Sequence, residues 1–279
     1  MQKTCTKMLV ATITCVVLSP FTQAVEPLAS SPLQPSHDPT QPMVTMTFIS
    51  PGQDGSRRVT PEVAIYADGR VAVTSDARSS RTTTSQIPLE QWRSVQHQLF
   101  VKNRLLDFET STMDDQIYEL RQQRRRPAPD RNADVTVITV HGTNVDHEIR
   151  CHALGLTATQ LPDLPCVQHV YACQECLQNI VKVVRAGGYE QVEQTLSTVN
   201  EKLERQLPGT NPLSSQDLNL VDARPDGTKY LQFSRLPGST GTNGTLSGLR
   251  PQDRFLMVSV YERPGRPLEI SIIGDTAAQ

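Results

Sequence analysis

The sequence predicts an α+β protein, with an antiparallel sheet packed against helices followed by a smaller antiparallel β-rich module. Three observations lead there. Strand-like runs are joined by short Asp-Gly and Pro-Gly turns, helical periodicities interrupt them without the regular strand-helix alternation of a doubly wound fold, and four strand patterns close the chain.

The first 24 residues read as a secretory signal peptide. Lys3 and Lys7 precede an uncharged stretch from Met8 to Phe21, and Thr22-Gln23-Ala24 closes it with a small residue. This apolar core is shorter than the ~20 residues a membrane span needs, so the expectation is cleavage near Ala24 and a periplasmic or secreted chain without stable membrane insertion. Residues 25–42 carry Pro27, Pro32, Pro35, Pro39 and Pro42 among Ser, Gln and Thr, which predicts a disordered Pro-rich linker.

An α+β module is expected over residues 43–188. Met43 to Ser50 and Val59 to Tyr66 read as strands flanking the Pro51-Gly52-Gln53-Asp54-Gly55 loop, and Ala67-Asp68-Gly69-Arg70 turns the second strand into a hairpin through Val71 and Val73. Pro88 opens a helix whose apolar stripe is Leu89, Trp92, Val95 and Leu99, extended by Phe100 and Leu105. From Glu109 to Ala133 the periodicity dissolves into charge and proline, and an exposed excursion is expected. Asp134 to Val140 and Val145 to Ala153 form a second hairpin around His141-Gly142-Thr143-Asn144. Asp163 is the candidate N-cap of a helix that runs to Ala186 and stops at Gly187-Gly188.

Residues 189–279 supply a helix plus four strands. Tyr189 to Leu207 is amphipathic, with Val192, Leu196, Val199 and Leu203 on one face, and Pro208 ends it. The strands are Leu218 to Ala223, Lys229 to Leu236, Arg254 to Tyr261 and Leu268 to Ile273, with a Gly/Ser/Thr-rich stretch at 238–248 between the inner two.

Composition narrows the function classes. The chain has 27 basic and 29 acidic residues, which provides no global field for nucleic acid. One Trp and an aromatic content of 5% argue against a sugar- or base-stacking surface. There is no Gly-x-Ser-x-Gly elbow, no His-Glu-x-x-His and no phosphate loop, so no catalytic residue and no cofactor is assigned.

Four cysteines follow the leader, at Cys151, Cys166, Cys173 and Cys176, and in an exported chain they are disulfide candidates. On a continuous helix Cys166 and Cys173 are separated by ~10 Å of axis, beyond the ~7 Å that a disulfide spans. Only Cys151 can reach across, which favours a Cys151–Cys166 bond contributing about 3 kcal/mol. Cys173-Gln174-Glu175-Cys176 admits a thiol oxidoreductase reading, but two helical turns precede it, away from the helix N-terminus that lowers a thiol pKa. The cysteines also cluster in sequence with His141, His147, His152 and His169, a metal reading whose spacing matches no paired-knuckle pattern, so no metal ligand is assigned.

The order of parts in residues 43–188 resembles a known family. A strand, a Gly52-x-x-Gly55 loop backed by Arg57 and Arg58, a second strand, Asp68-Gly69-Arg70-Val71, a helix opening at Pro88, a Leu105-Leu106-Asp107-Phe108 exit, a hairpin and a second helix together resemble the emfourin-like bacterial inhibitors of thermolysin-type metalloproteases. The resemblance implies a small non-catalytic α+β protein that binds an extracellular protease or another envelope protein. On that reading Gln53, Asp54, Gly55, Arg57 and Arg58 form the partner-binding loop. The competing expectation is a cell-envelope thiol oxidoreductase or metal-binding enzyme built on the Cys/His cluster.

Overall fold

A computed structural model describes residues 33–34, 38–50, 60–74, 81–224, 226–235 and 255–274. They belong to one compact unit, Ser31–Gln279. Its architecture is α+β: a six-stranded antiparallel sheet with helices, and a separate four-stranded antiparallel sheet.

The larger sheet contains β1 (Val44–Ile49), β2 (Val63–Ile65), β3 (Arg70–Thr74), β4 (Thr82–Gln86), β5 (Val135–Gly142) and β6 (Val145–His152), in the order β4-β3-β2-β1-β5-β6. Period-two alternation sends Val44, Met46, Val63, Ile65, Ile138 and Val140 to one buried face, and the register Val44↔Ile65, Val44↔Val140 and Met46↔Ile138 stacks them into rows. Gly69 makes the β2–β3 hairpin possible: its φ of 81° is a conformation that side chains with a Cβ rarely adopt, and its N–H donates to the Tyr66 carbonyl at 3.0 Å. β4 is absent from the sequence reading because Thr-Thr-Thr-Ser-Gln has no apolar alternation. It is an edge strand that β3 recruits through backbone pairing.

Helix α1 (Leu89–Gln96) starts after Pro88 and widens into a π turn over His97–Lys102. Trp92, Val95, Leu99 and Phe100 are buried as the stripe predicts, whereas Leu89 is 62% exposed because the first turn projects beyond the core. The expected excursion at 109–133 is largely a helix instead, α2 (Thr110–Arg124). Its propensity-rich polar sequence masks a narrow buried edge of Met113 and Ile117, and Thr110 Oγ1 accepts from the Arg150 N–H on β6 at 3.0 Å, satisfying an outward donor at that sheet edge. Helix α3 (Leu154–Gln160) is also additional to the sequence reading; seven residues are too few to show a period.

Helix α4 (Pro165–Ala186) is capped by Leu164 rather than Asp163 and carries proline at its first position. The Asp163 carboxylate faces Arg124 instead, at 2.8 Å. Gly187, with φ 116°, ends α4, and α5 (Tyr189–Gln206) follows directly. The second sheet has the order β10-β9-β8-β7, from β7 (Leu218–Ala223), β8 (Lys229–Arg235), β9 (Leu256–Glu262) and β10 (Glu269–Gly274). Its inner residues Leu231, Phe233, Val258 and Val260 join the same continuous core as the first sheet.

Helix α4 is shared by both sheets. It packs against β3 and β4 on one side and β7 on the other, and it buries Val167, Val170, Leu177, Ile180, Val183 and Val184. A helix buried nearly all round belongs between layers. One polar pair is sealed there: Thr136 Oγ1 of β5 donates to Gln174 Oε1 of α4 at 2.8 Å. At the far end the Lys229 ammonium donates to the Ala186 carbonyl at 3.0 Å, where the helix dipole is negative. Leu33, within the stretch expected as a disordered linker, is buried against Gly142, and the Gln34 carbonyl accepts from the Thr143 N–H at 3.0 Å, so the chain docks on the β5–β6 turn before β1 begins. Among the described residues no helix is long and apolar enough to cross a membrane.

Candidate functional site

A cleft of about 1390 Å³ opens between α1 with its π turn, the outward face of α4, the start of α5 and the loop before β7. Polar spacing on helices creates it. Gln91, Ser94 and Gln98 recur at intervals of three and four on one wall, and Gln168, Tyr171, Glu175 and Asn179 recur in the same way along the floor. Ser214, Ser215 and Gln216 close the end nearest the second sheet.

Hydrogen bonds hold these walls in place. Gln91 Nε2 donates to Glu193 Oε1 of α5 at 3.0 Å, and Asn179 Nδ2 donates to the Ser215 carbonyl at 2.9 Å. Gln168 Nε2 donates to the Ala158 and Leu161 carbonyls, at 2.8 and 3.3 Å, at the C-terminal end of α3. Arg235 fixes the 211–217 loop from β8, donating to the carbonyls of Asn211 and Pro212 and to both oxygens of Asp217. Asp217 and Ser214 in turn form a reciprocal capping box.

Cys176 and Tyr189 lie at the base of the cleft. Burial pushes the Cys176 thiol up to about 12, and its Sγ donates to Gln98 Oε1 at 3.2 Å. Burial, with Cys176 beside it, also raises the Tyr189 hydroxyl above its ordinary range. Burial raises Tyr171 too, aided by the Glu175 carboxylate and its hydrogen bond. His169 packs edge-on against Phe108, with ring centroids 5.7 Å apart, and its Nδ1 is buried without a partner among the described residues. A thiolate is the nucleophilic form of cysteine, so these surroundings suppress thiol chemistry at neutral pH. Geometry and electrostatics therefore suit the cleft to hydrogen-bonded recognition.

The four cysteines are free thiols, and the expected Cys151–Cys166 bridge is not formed. Cys166 Sγ turns to Gln116 Oε1 of α2 at 3.2 Å, while Cys151 Sγ lies 3.9 Å from the His152 carbonyl. Helix α2, which the sequence reading lacks, supplies that competing acceptor. Burial pushes Cys151 up to about 12, with Asp114 adding to the rise and Arg121 opposing it, and burial also raises Cys166. Cys173 and Cys176 share one face of α4, and burial raises Cys173 strongly, with Cys176 adding to it. Cys173 is the ninth residue of that helix, far from the N-terminal amides that would stabilise a thiolate.

Of the four clustered histidines, His141, His147 and His152 are dispersed along the β5–β6 hairpin and His169 lies on α4. His141 sits near the turn with Nδ1 2.8 Å from Asp146 Oδ1, whereas His152 pairs with Val135 at the opposite end, and His147 and His152 are ~17 Å apart along an extended strand. Among the described residues no three His, Cys, Asp or Glu side chains are arranged to hold a metal ion.

The loop residues Gln53, Asp54, Gly55, Arg57 and Arg58 lie outside the described residues. The cleft residues escape sequence reasoning because Gln and Ser at helical spacing look like any solvent-facing stripe. A weak signal exists in the run of amides at Gln91, Gln96 and Gln98 and again at Gln168 and Gln174, although Gln96 and Gln174 prove to be buried structural residues. Comparison with protein-family models, with curated proteins and with solved structures finds no match to the chain.

Proposed function

We propose that the chain is an exported, non-catalytic binding protein whose partner is an extracellular protease or another cell-envelope protein. The observation that carries this reading is the cleft: an amide- and hydroxyl-rich groove, rigidly held by hydrogen bonds, with the Cys176 thiol that lines it kept protonated. The sequence adds a leader suited to export and an arrangement of parts that resembles the emfourin-like inhibitors, which makes inhibition of a thermolysin-type metalloprotease the specific form to test. The thiol oxidoreductase alternative is disfavoured by the raised Cys173 and Cys176 thiols, since an attacking sulfur needs an accessible thiolate.

Protein recovered from the exported fraction, with a mature terminus expected near Val25, is titrated against thermolysin-type proteases. Dose-dependent inhibition is expected, and none at micromolar excess removes the inhibitor form. An insulin-reduction assay addresses the wider claim, for which no turnover is expected. Turnover that disappears in Cys173→Ser and Cys176→Ser variants would replace the binding reading with the redox one.

A further inference from the structure

Four of the amides that line the cleft, Gln91, Gln98, Gln168 and Asn179, are each held at one end, which fixes what the other end offers. Gln98 Oε1 accepts the Cys176 thiol, leaving its NH₂ as a donor. Gln168 Nε2 is used twice by backbone carbonyls and Asn179 Nδ2 once, leaving Gln168 Oε1 and Asn179 Oδ1 as acceptors. Gln91 Nε2 is held by a carboxylate, which only accepts, so Gln91 Oε1 is a third acceptor. It is buried without a partner among the described residues, a cost that an arriving N–H relieves once the side chain adjusts. The cleft therefore carries a set of amide groups of defined polarity, donor and acceptor intermixed.

We infer that this cleft binds an extended polypeptide segment of a partner, with its peptide groups paired to the side-chain amides. The inference rests on the binding reading above and names the ligand class. Side-chain amides match a peptide backbone in both geometry and mixed donor-acceptor character. The volume of about 1390 Å³ exceeds the ~300 to 1,000 Å³ usual for a small molecule, so a chain segment fills it better. Lys102, Lys182 and Glu175 bring both signs of charge to the rim, which disfavours a polyanion. A saccharide would call for an open aromatic face, but Trp92 is buried in the core with its Nε1 donating to the Ala67 carbonyl, Tyr189 is buried, and Tyr171 is hydrogen-bonded to Glu175.

Random dodecapeptides displayed on phage are selected against the mature chain, and an enriched peptide is labelled for fluorescence anisotropy. Two cleft variants are compared with wild type: Gln98→Met, which removes the donor, and Ala172→Trp, which fills the groove from α4. Arg263→Gln, in the exposed ion pair with Glu269, serves as the outside control, and thermal melts establish that each variant folds. The expected result is a Kd at least ~10-fold weaker in both cleft variants and unchanged in the control. Failure to enrich any peptide overturns the inference, as does binding of chitotetraose in place of peptide. Peptide binding that folded cleft variants leave intact also overturns it, by locating the contact elsewhere, while the binding-protein reading survives.

Discussion

Burial decides the chemistry of individual residues in this protein. A cysteine in water ionises near ~8.5, whereas Cys151 and Cys176 are pushed up to about 12 by loss of solvent. The protonated thiol is the form the folded state favours, so the unfolded chain binds fewer protons once the pH passes the unfolded value. The thiols' contribution to stability is complete below about pH 8.5 and lost progressively as pH rises towards 12. Denaturant midpoints are expected to fall across that window, and a Cys151→Ala, Cys176→Ala variant is expected to flatten the dependence. A midpoint that is flat for the wild type from pH 8.5 to 11 would contradict the raised thiols. The same effect is compatible with four unpaired thiols under the export proposed above, because exchange needs a thiolate and an open approach. The presence of the cysteines was legible in the sequence, but their partners were not: Gln116 and Gln98 come from elements distant in the chain.

At the scale of elements, the cleft depends on a loop that Arg235 anchors from the second sheet, while Asn179 and Asn200 hold it from the helices. Arg235 on β8 donates to Asn211, Pro212 and Asp217, and this ion pair is largely shielded, with the two side chains 23% and 15% exposed. Arg235→Leu is expected to destabilise the protein by about 1.5–3 kcal/mol and to raise hydrogen exchange at the Leu213 and Asp217 amides ahead of the sheet amides. Exchange that accelerates uniformly would show instead that the loop has no independent role. Strands with clear alternation and turns with Asp-Gly chemistry were readable because their local pattern and their tertiary setting agree. Helix α2 and strand β4 were not, since the apolar face of α2 is two residues wide and β4 is recruited through backbone groups that carry no sequence signal.

For the whole molecule, the central fact is that one helix serves two sheets. Leu177 is fully buried on α4, and Leu177→Ala is expected to cost about 2–5 kcal/mol. Because the core is continuous, the loss should move both sheets together. Trp92 fluorescence reports on the side of the larger sheet, and tyrosine near-ultraviolet circular dichroism draws on Tyr230 and Tyr261, whose rings are 4.8 Å apart on the smaller sheet. Coincident midpoints from the two probes, displaced equally by the substitution, are the expected outcome, and separated transitions would show that the sheets fold independently of α4.

The sequence by itself determined the α+β class, nine of the ten strands among the described residues to within about four residues, the long helices α4 and α5 and the glycine that separates them, because period, turn residues and caps are local properties. The export reading and the resemblance on which the inhibitor proposal draws rest on the sequence alone. Only the tertiary structure decided that the four cysteines are free thiols, three of them buried and Cys176 half-buried, that α4 lies between two sheets, and that polar faces of α1 and α4 enclose a cleft. Those outcomes depend on which surfaces meet across long stretches of chain, and a Gln that faces solvent is indistinguishable in sequence from one that lines a groove.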